Sequence, residues 1–206
     1  MNRIELGTAD GVRLEGRWDE PPEPHSALVF CHPHPQHGGT MTSPLMHKVT
    51  KGLVGDGFSV LRFNFRGIGA SSGEWGGGEG EVNDVAAAME QAASRGFPLA
   101  LGGWSFGAAT ALRWQARSGD STPYAGIAPP VNTEYMRSPP RSPELAEARR
   151  LFIIGDRDQF ITVEDLESYA LSIGATVDVI KGSDHFFYFR EERVAELMAG
   201  FLRTTN

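Results

Sequence analysis

Gly103-Trp104-Ser105-Phe106-Gly107 decides how this chain is read. It is a G-x-S-x-G, with Pro98-Leu99-Ala100-Leu101 before it reading as a short buried strand and Ala108-Ala109-Thr110-Ala111-Leu112 after it as a helix. A serine at such a strand-to-helix turn sits on a strained backbone with its hydroxyl exposed above the sheet. The glycines at 103 and 107 lie where strand and helix nearly touch, so a Cβ at either would collide.

The strands and helices around this turn repeat one rhythm. Ile4 to Leu6 and Val12 to Trp18 suggest an edge hairpin. Ala27 to Cys31 is an unbroken apolar run, as expected of a strand buried on both faces. Ser43-Pro44 reads as an N-cap with proline at the first helical position, followed by Leu45, Met46, Val49 and Leu53 at helical spacing and closed by Gly55 and Gly57. Ser59 to Phe63 predicts the next strand, and Val82, Val85, Ala86, Met89 and Ala93 the apolar face of the next helix. Beyond the serine, Tyr124 to Ile127, Leu151 to Ile154 and Thr176 to Ile180 predict strands. Between the last two, Thr162 and Asp165 resemble a capping box that opens a helix faced by Val163, Leu166 and Ala170. Val194, Leu197, Met198, Phe201 and Leu202 give a final helix its face.

This alternation predicts an α/β fold: a mostly parallel central sheet with helices on both faces, in one domain over residues 1–206. Pro129 to Pro143 breaks the rhythm and reads as an ordered loop over the sheet's C-terminal edge rather than a second domain.

Composition narrows the function. At 206 residues, 40% hydrophobic and 22% charged, the chain is an ordinary globular protein. Its net charge of −7 argues against nucleic acid and against an anionic membrane surface as partners. The one cysteine, Cys31, excludes an intramolecular disulfide. No stretch is long and apolar enough for a membrane span, and Met1 to Glu5 lacks the apolar core of a signal peptide, so a cytoplasmic location is expected.

A serine hydroxyl near neutral pH needs a base, and the base needs an anion to orient it and to stabilise its cationic form. At a G-x-S-x-G elbow these follow in the order Ser, Asp or Glu, His. The strand ending at Ile154 runs into Gly155-Asp156-Arg157-Asp158. Asp158 is favoured over Asp156, because the chain must leave the strand through Gly155 before it can turn a side chain inward. The strand ending at Ile180 runs into Gly182-Ser183-Asp184-His185-Phe186-Phe187. His185 is the only histidine after Ser105, so it is the candidate base, with Phe186 and Phe187 placed to pack beneath its ring and Asp184 directed to solvent.

Charge developing on a substrate oxygen needs two converging backbone N–H groups. One is that of Phe106. The other belongs to the loop His32-Pro33-His34-Pro35-Gln36-His37-Gly38-Gly39, where His34 is the natural donor between two prolines that have none.

These pieces, with Phe63-Asn64-Phe65-Arg66-Gly67-Ile68-Gly69-Ala70-Ser71, resemble the α/β-hydrolase superfamily. Within it they are similar to small, lidless bacterial hydrolases that carry an H-P-H-P loop. The resemblance covers nearly the whole chain and implies no large cap domain and a cis His34–Pro35 bond. With the residues above, it leads to a serine hydrolase acting on a small-molecule acyl substrate through an acyl-enzyme. Ser105, Asp158 and His185 are then catalytic, the N–H groups of His34 and Phe106 form the oxyanion hole, and no cofactor or metal is needed. A small carboxylic ester or thioester is favoured over an amide, because an ester leaving group asks least of the general acid. Activity is expected to rise with pH as His185 loses its proton. Trp104, Phe106, Phe186 and Phe187 are candidates for an apolar pocket wall.

Two other readings remain open at this stage. The fold can serve as a catalytically silent binding protein. His32, His34 and His37 can also be read as a metal cluster, although Gln36 stands where such a cluster needs an aspartate. Gly67-Ile68-Gly69 is not followed promptly by a helix, so it reads as a glycine turn anchored by Arg66 and not as a dinucleotide fingerprint.

Overall fold

A computed structural model describes residues 2–132 and 139–203. Its sheet has eight strands: β1 (Asn2–Gly7), β2 (Arg13–Asp19), β3 (Ser26–Cys31), β4 (Phe58–Phe63), β5 (Leu99–Trp104), β6 (Tyr124–Ile127), β7 (Arg150–Gly155) and β8 (Thr176–Ile180). Their spatial order is β1-β2-β4-β3-β5-β6-β7-β8. The first hairpin pairs antiparallel, and β2 meets β4 antiparallel; every later pairing is parallel. Five helices accompany them: α1 (Pro44–Gly55), α2 (Gly80–Ala93), α3 (Phe106–Ser118), α4 (Val163–Ser172) and α5 (Glu191–Arg203).

Both faces of the sheet are covered, and two adjacent glycines locate the cover. Successive strand residues point to opposite faces. A Cβ on Gly102 would come 3.2 Å from Met198 of α5, whereas one on Gly103 would come 2.5 Å from the Ala108 nitrogen of α3. So α5, with α1 packed on it, takes one face, and α3, with α2 packed on it, takes the other. The sheet interior is what the unbroken apolar runs predict: Leu28, Val29, Phe30, Phe152, Ile153 and Ile154 are all fully buried.

Three local expectations change. The strand expected to stop at Leu101 continues through Gly102 and Gly103 to Trp104. Glycine is a poor strand former, but here it is what lets helices approach from both sides. The inward face of α2 includes Glu81, Asp84, Ala87, Ala88 and Ala92 along with Val82, Val85 and Met89, while Ala86 is half-buried and Ala93 exposed. Two acids turn inward because each has a partner. Asp84 accepts hydrogen bonds from the backbone N–H, Nε and Nη2 of Arg66, and Glu81 accepts the N–H groups of Gly76 and Gly78. Ser43 caps α1 only through its carbonyl, which accepts the His47 N–H at 3.0 Å; its Oγ accepts the Thr40 N–H and not a helix N–H.

Arg66 anchors the turn after β4 by reaching Asp10 as well as Asp84, at 2.9 Å and 2.7 Å. Burial opposes the guanidinium's charge, but the hydrogen bonds it donates to Asp84 and then Asp10 outweigh it, so its pKa lies above the ordinary value. Of the loop expected over Pro129 to Pro143, residues 133–138, including Tyr135 and Met136, lie outside the described residues.

Candidate active site

Every parallel strand here ends at the same edge of the sheet, so loops far apart in sequence converge there. Ser105 directly follows β5 and caps α3 with φ 52 and ψ −118, a left-handed backbone that a non-glycine residue adopts only under constraint. The constraint is visible. The Ser105 N–H donates to the Ile127 carbonyl at 2.7 Å, and its own carbonyl accepts from Ala109 at 3.1 Å. A Cβ on Gly107 would fall on the carbonyl oxygens of Cys31 and His32, so strand β3 and helix α3 touch backbone to backbone there.

Asp158 and His185 lie in the loops after β7 and β8. Asp158 Oδ2 sits 2.7 Å from His185 Nδ1, and the carboxylate side chain is fully buried. An ionised carboxylate only accepts, so Nδ1 carries the hydrogen and Nε2 keeps the ring's lone pair. Asp158 Oδ1 takes the backbone N–H groups of Phe160 and Ile161 at 2.9 and 3.1 Å, which fixes the carboxylate from its other side. Asp156 instead accepts the Gly182 N–H at 2.6 Å and ties the two loops together. Asp184 does not project freely into solvent: its Oδ1 accepts the N–H groups of Phe186 and Phe187, closing the turn that carries His185.

Ser105 and His185 line one cleft of about 750 Å³. No hydrogen bond joins Ser105 Oγ to the imidazole among the described residues; such bonds are often long before substrate binds. The link between the two segments is the neighbouring residue. Trp104 Nε1 donates to the His185 carbonyl at 3.2 Å, and its ring lies 6.0 Å from the imidazole. Phe186 also faces the imidazole, at 5.8 Å, but Phe187 is fully buried in the core with φ 55. Phe160 packs edge-on against His185 at 4.9 Å; it was not among the sequence candidates, though it follows Asp158 by two positions in the same loop.

The loop after β3 forms the opposite wall. His34 and Phe106 lie side by side, ring centroids 5.1 Å apart, and no acceptor among the described residues takes either backbone N–H. Phe106 itself packs on Phe65 and Trp75 and does not line the cleft. The His34–Pro35 bond is trans, like all described peptide bonds, contrary to the expectation of a cis bond. Pro35 opens a short 3-10 turn as its first residue, where its fixed φ suits, and His34 (φ −54, ψ 119) lies outside the helical region that a following proline disfavours.

This loop is fastened to β4 and the residues after it. Arg62, itself held by Asp19, donates to the Met41 carbonyl at 2.7 Å, and Asn64 Oδ1 accepts the Met41 N–H at 2.9 Å. At the loop's other end His32 Nδ1 donates to the Pro33 carbonyl (2.7 Å), and Nε2 accepts the Phe65 N–H (3.0 Å). Both nitrogens of His32 are therefore engaged within the protein, and His34 Nδ1 accepts the Gln36 N–H, so His32, His34 and His37 do not form the metal cluster their spacing suggested. No group of three or more metal-capable side chains occurs among the described residues. Among them, too, no helix is long and apolar enough to cross a membrane.

The His32 arrangement requires a neutral ring, and burial accordingly lowers its pKa to about 4. In the unfolded chain the ring takes its proton near pH 6.5. The unfolded state thus binds more protons between these values, and stability is lost as pH falls from 6.5 towards 4. About 3 kcal/mol of that loss belongs to this one group. Unfolding of wild type and His32→Gln followed from pH 7 to pH 4 is expected to show a variant weaker at pH 7 but with the flatter profile. Burial, then the nearby His37, also lowers the His34 pKa.

The comparisons with known proteins agree with this architecture. The model of the alpha/beta hydrolase domain family matches residues 24–199. An uncharacterized protein of Rickettsia prowazekii is 31% identical across 99% of this chain and 90% of its own length. A Coxiella burnetii structure described as an alpha-beta serine hydrolase homologue superposes with a TM-score of 0.83 at 29% identity, over 97% of this chain and 96% of that one. A Xanthomonas campestris α/β serine hydrolase without a lid gives 0.81 at 25% identity, over 100% and 96%. The family match spans six of the eight strands, four helices and most of the fifth, and on that basis the chain belongs to the alpha/beta hydrolases.

Proposed function

We propose that the chain is a serine hydrolase that cleaves a small carboxylic ester or thioester through an acyl-enzyme. The observation that carries this reading is the Asp158–His185 bond at 2.7 Å, which leaves a lone pair on an imidazole lining the same cleft as the strained Ser105. Ser105 Oγ attacks the carbonyl carbon while His185 Nε2 takes its proton. The N–H groups of His34 and Phe106 hold the resulting oxyanion, an effect usually worth about 3 kcal/mol per donor. The carbon–oxygen or carbon–sulfur bond then breaks, and His185 returns the proton to the leaving group. A water gives its proton to His185 and attacks the acyl-Ser105; collapse frees the acid and restores the Ser105 hydroxyl.

A fluorophosphonate probe tests this reading directly. Intact-mass analysis is expected to show one adduct on wild type, mapped to Ser105, and none on Ser105→Ala. Wild type that takes up no probe and hydrolyses no ester is a binding protein, and the reading fails.

A further inference from the structure

The chemistry of proton return fixes which part of the cleft receives the leaving group. His185 Nε2 must reach the leaving oxygen as its bond to the carbonyl carbon breaks, so the group attached to that oxygen lies beside the imidazole. The side chains there are rings. Phe160 and Phe186 both meet His185, Trp104 meets Phe186 at 6.2 Å, and Phe186 stacks on Tyr188 at 5.8 Å. Folding leaves this wall in water: Phe160 is 61% and Tyr188 59% exposed. Covering that apolar surface yields roughly 25 cal/mol per Å².

Among the described residues, no Asp, Glu, Lys or Arg side chain lines the cleft. Asp158, which touches His185, is buried with both oxygens committed. Each nearby amide is partly engaged: Gln159 Oε1 accepts the His185 N–H, and Asn132 Nδ2 donates to Asp165. Among the described residues, a charged alcohol would find no counter-ion beside the imidazole.

We infer that the substrate is an ester of an uncharged aromatic or bulky apolar alcohol, seated on the Phe160–Phe186–Tyr188 wall next to His185. The inference rests on the ester-hydrolase reading and adds the class of alcohol. Aromatic faces also attract cations, and the absence of any carboxylate lining the cleft among the described residues favours the neutral group.

Three acetates separate the possibilities: benzyl acetate, 2-methoxyethyl acetate (a polar alcohol of similar leaving ability) and acetylcholine (a cationic one). On wild type, kcat/KM for benzyl acetate is expected to exceed that for each of the others by about 10-fold or more. In Phe160→Ala, and separately in Phe186→Ala, the benzyl to 2-methoxyethyl ratio is expected to fall at least about threefold. The ratio isolates recognition, because any displacement of His185 slows both esters alike. A wild-type ratio near one, acetylcholine as the best substrate, or a ratio unchanged in both variants overturns the inference while leaving the hydrolase reading intact. Turnover of none of the three, with no fluorophosphonate labelling, overturns the hydrolase reading and this inference with it.

Discussion

Ser105→Ala and His185→Ala are each expected to lower kcat on phenyl acetate by about four to six orders of magnitude, and the double variant is expected to be no slower than either alone. The reason is that the hydroxyl and the imidazole act on one proton in one step, so losing either loses the step. Whatever rate remains comes from the backbone donors and from binding. The Ser105 test is clean structurally. Its Oγ makes no hydrogen bond among the described residues, and alanine inherits the same φ of 52, so stability is expected to change by no more than about 0.5 kcal/mol. Matching melting curves beside lost turnover would locate the defect in chemistry. Losses that add in the double variant would mean that Ser105 and His185 work on separate steps.

Asp158→Asn is expected to cost about four orders of magnitude in kcat with little change in KM. The asparagine is nearly isosteric, and its carbonyl oxygen can still accept the N–H groups of Phe160 and Ile161, so the loop after β7 keeps its shape. Its amide nitrogen then faces His185 Nδ1 and can only donate. That forces the ring into the tautomer with its hydrogen on Nε2, where it cannot take a proton from Ser105. Asp156→Asn is the control. It changes the bond to the Gly182 N–H, an anchor between loops, and is expected to cost far less turnover. Equal losses in the two variants would count against the assignment of the acid to position 158.

The parts of the architecture legible in the sequence were those fixed by short-range pattern. Buried parallel strands such as β3 are carried by unbroken apolar runs, and β6 and the edge strand β8 fall on the expected residues. Ser105, Asp158 and His185 are candidates by order because each follows a strand, and a parallel sheet delivers all such positions to one rim. The features that escaped depend on partners remote in sequence. Nothing near Asp84 announces that Arg66 will neutralise it, so an amphipathic reading of α2 treats it as solvent-facing. Phe160 looks like an ordinary loop aromatic until β8 brings His185 beside it. A cis His34–Pro35 bond is what likeness to relatives implies, not what a local residue pattern dictates, and the bond is trans.

The fastening of the His34 loop by Arg62, Asn64 and Phe65 makes the segment modular. Its termini are secured from a neighbouring strand, while the exposed tip at Gln36 and His37 has none of those three anchors. A library randomised at the tip would therefore remodel the cleft mouth and leave the amide geometry alone. One randomised at 62 or 64 would disturb that geometry without altering a single group that a ligand meets.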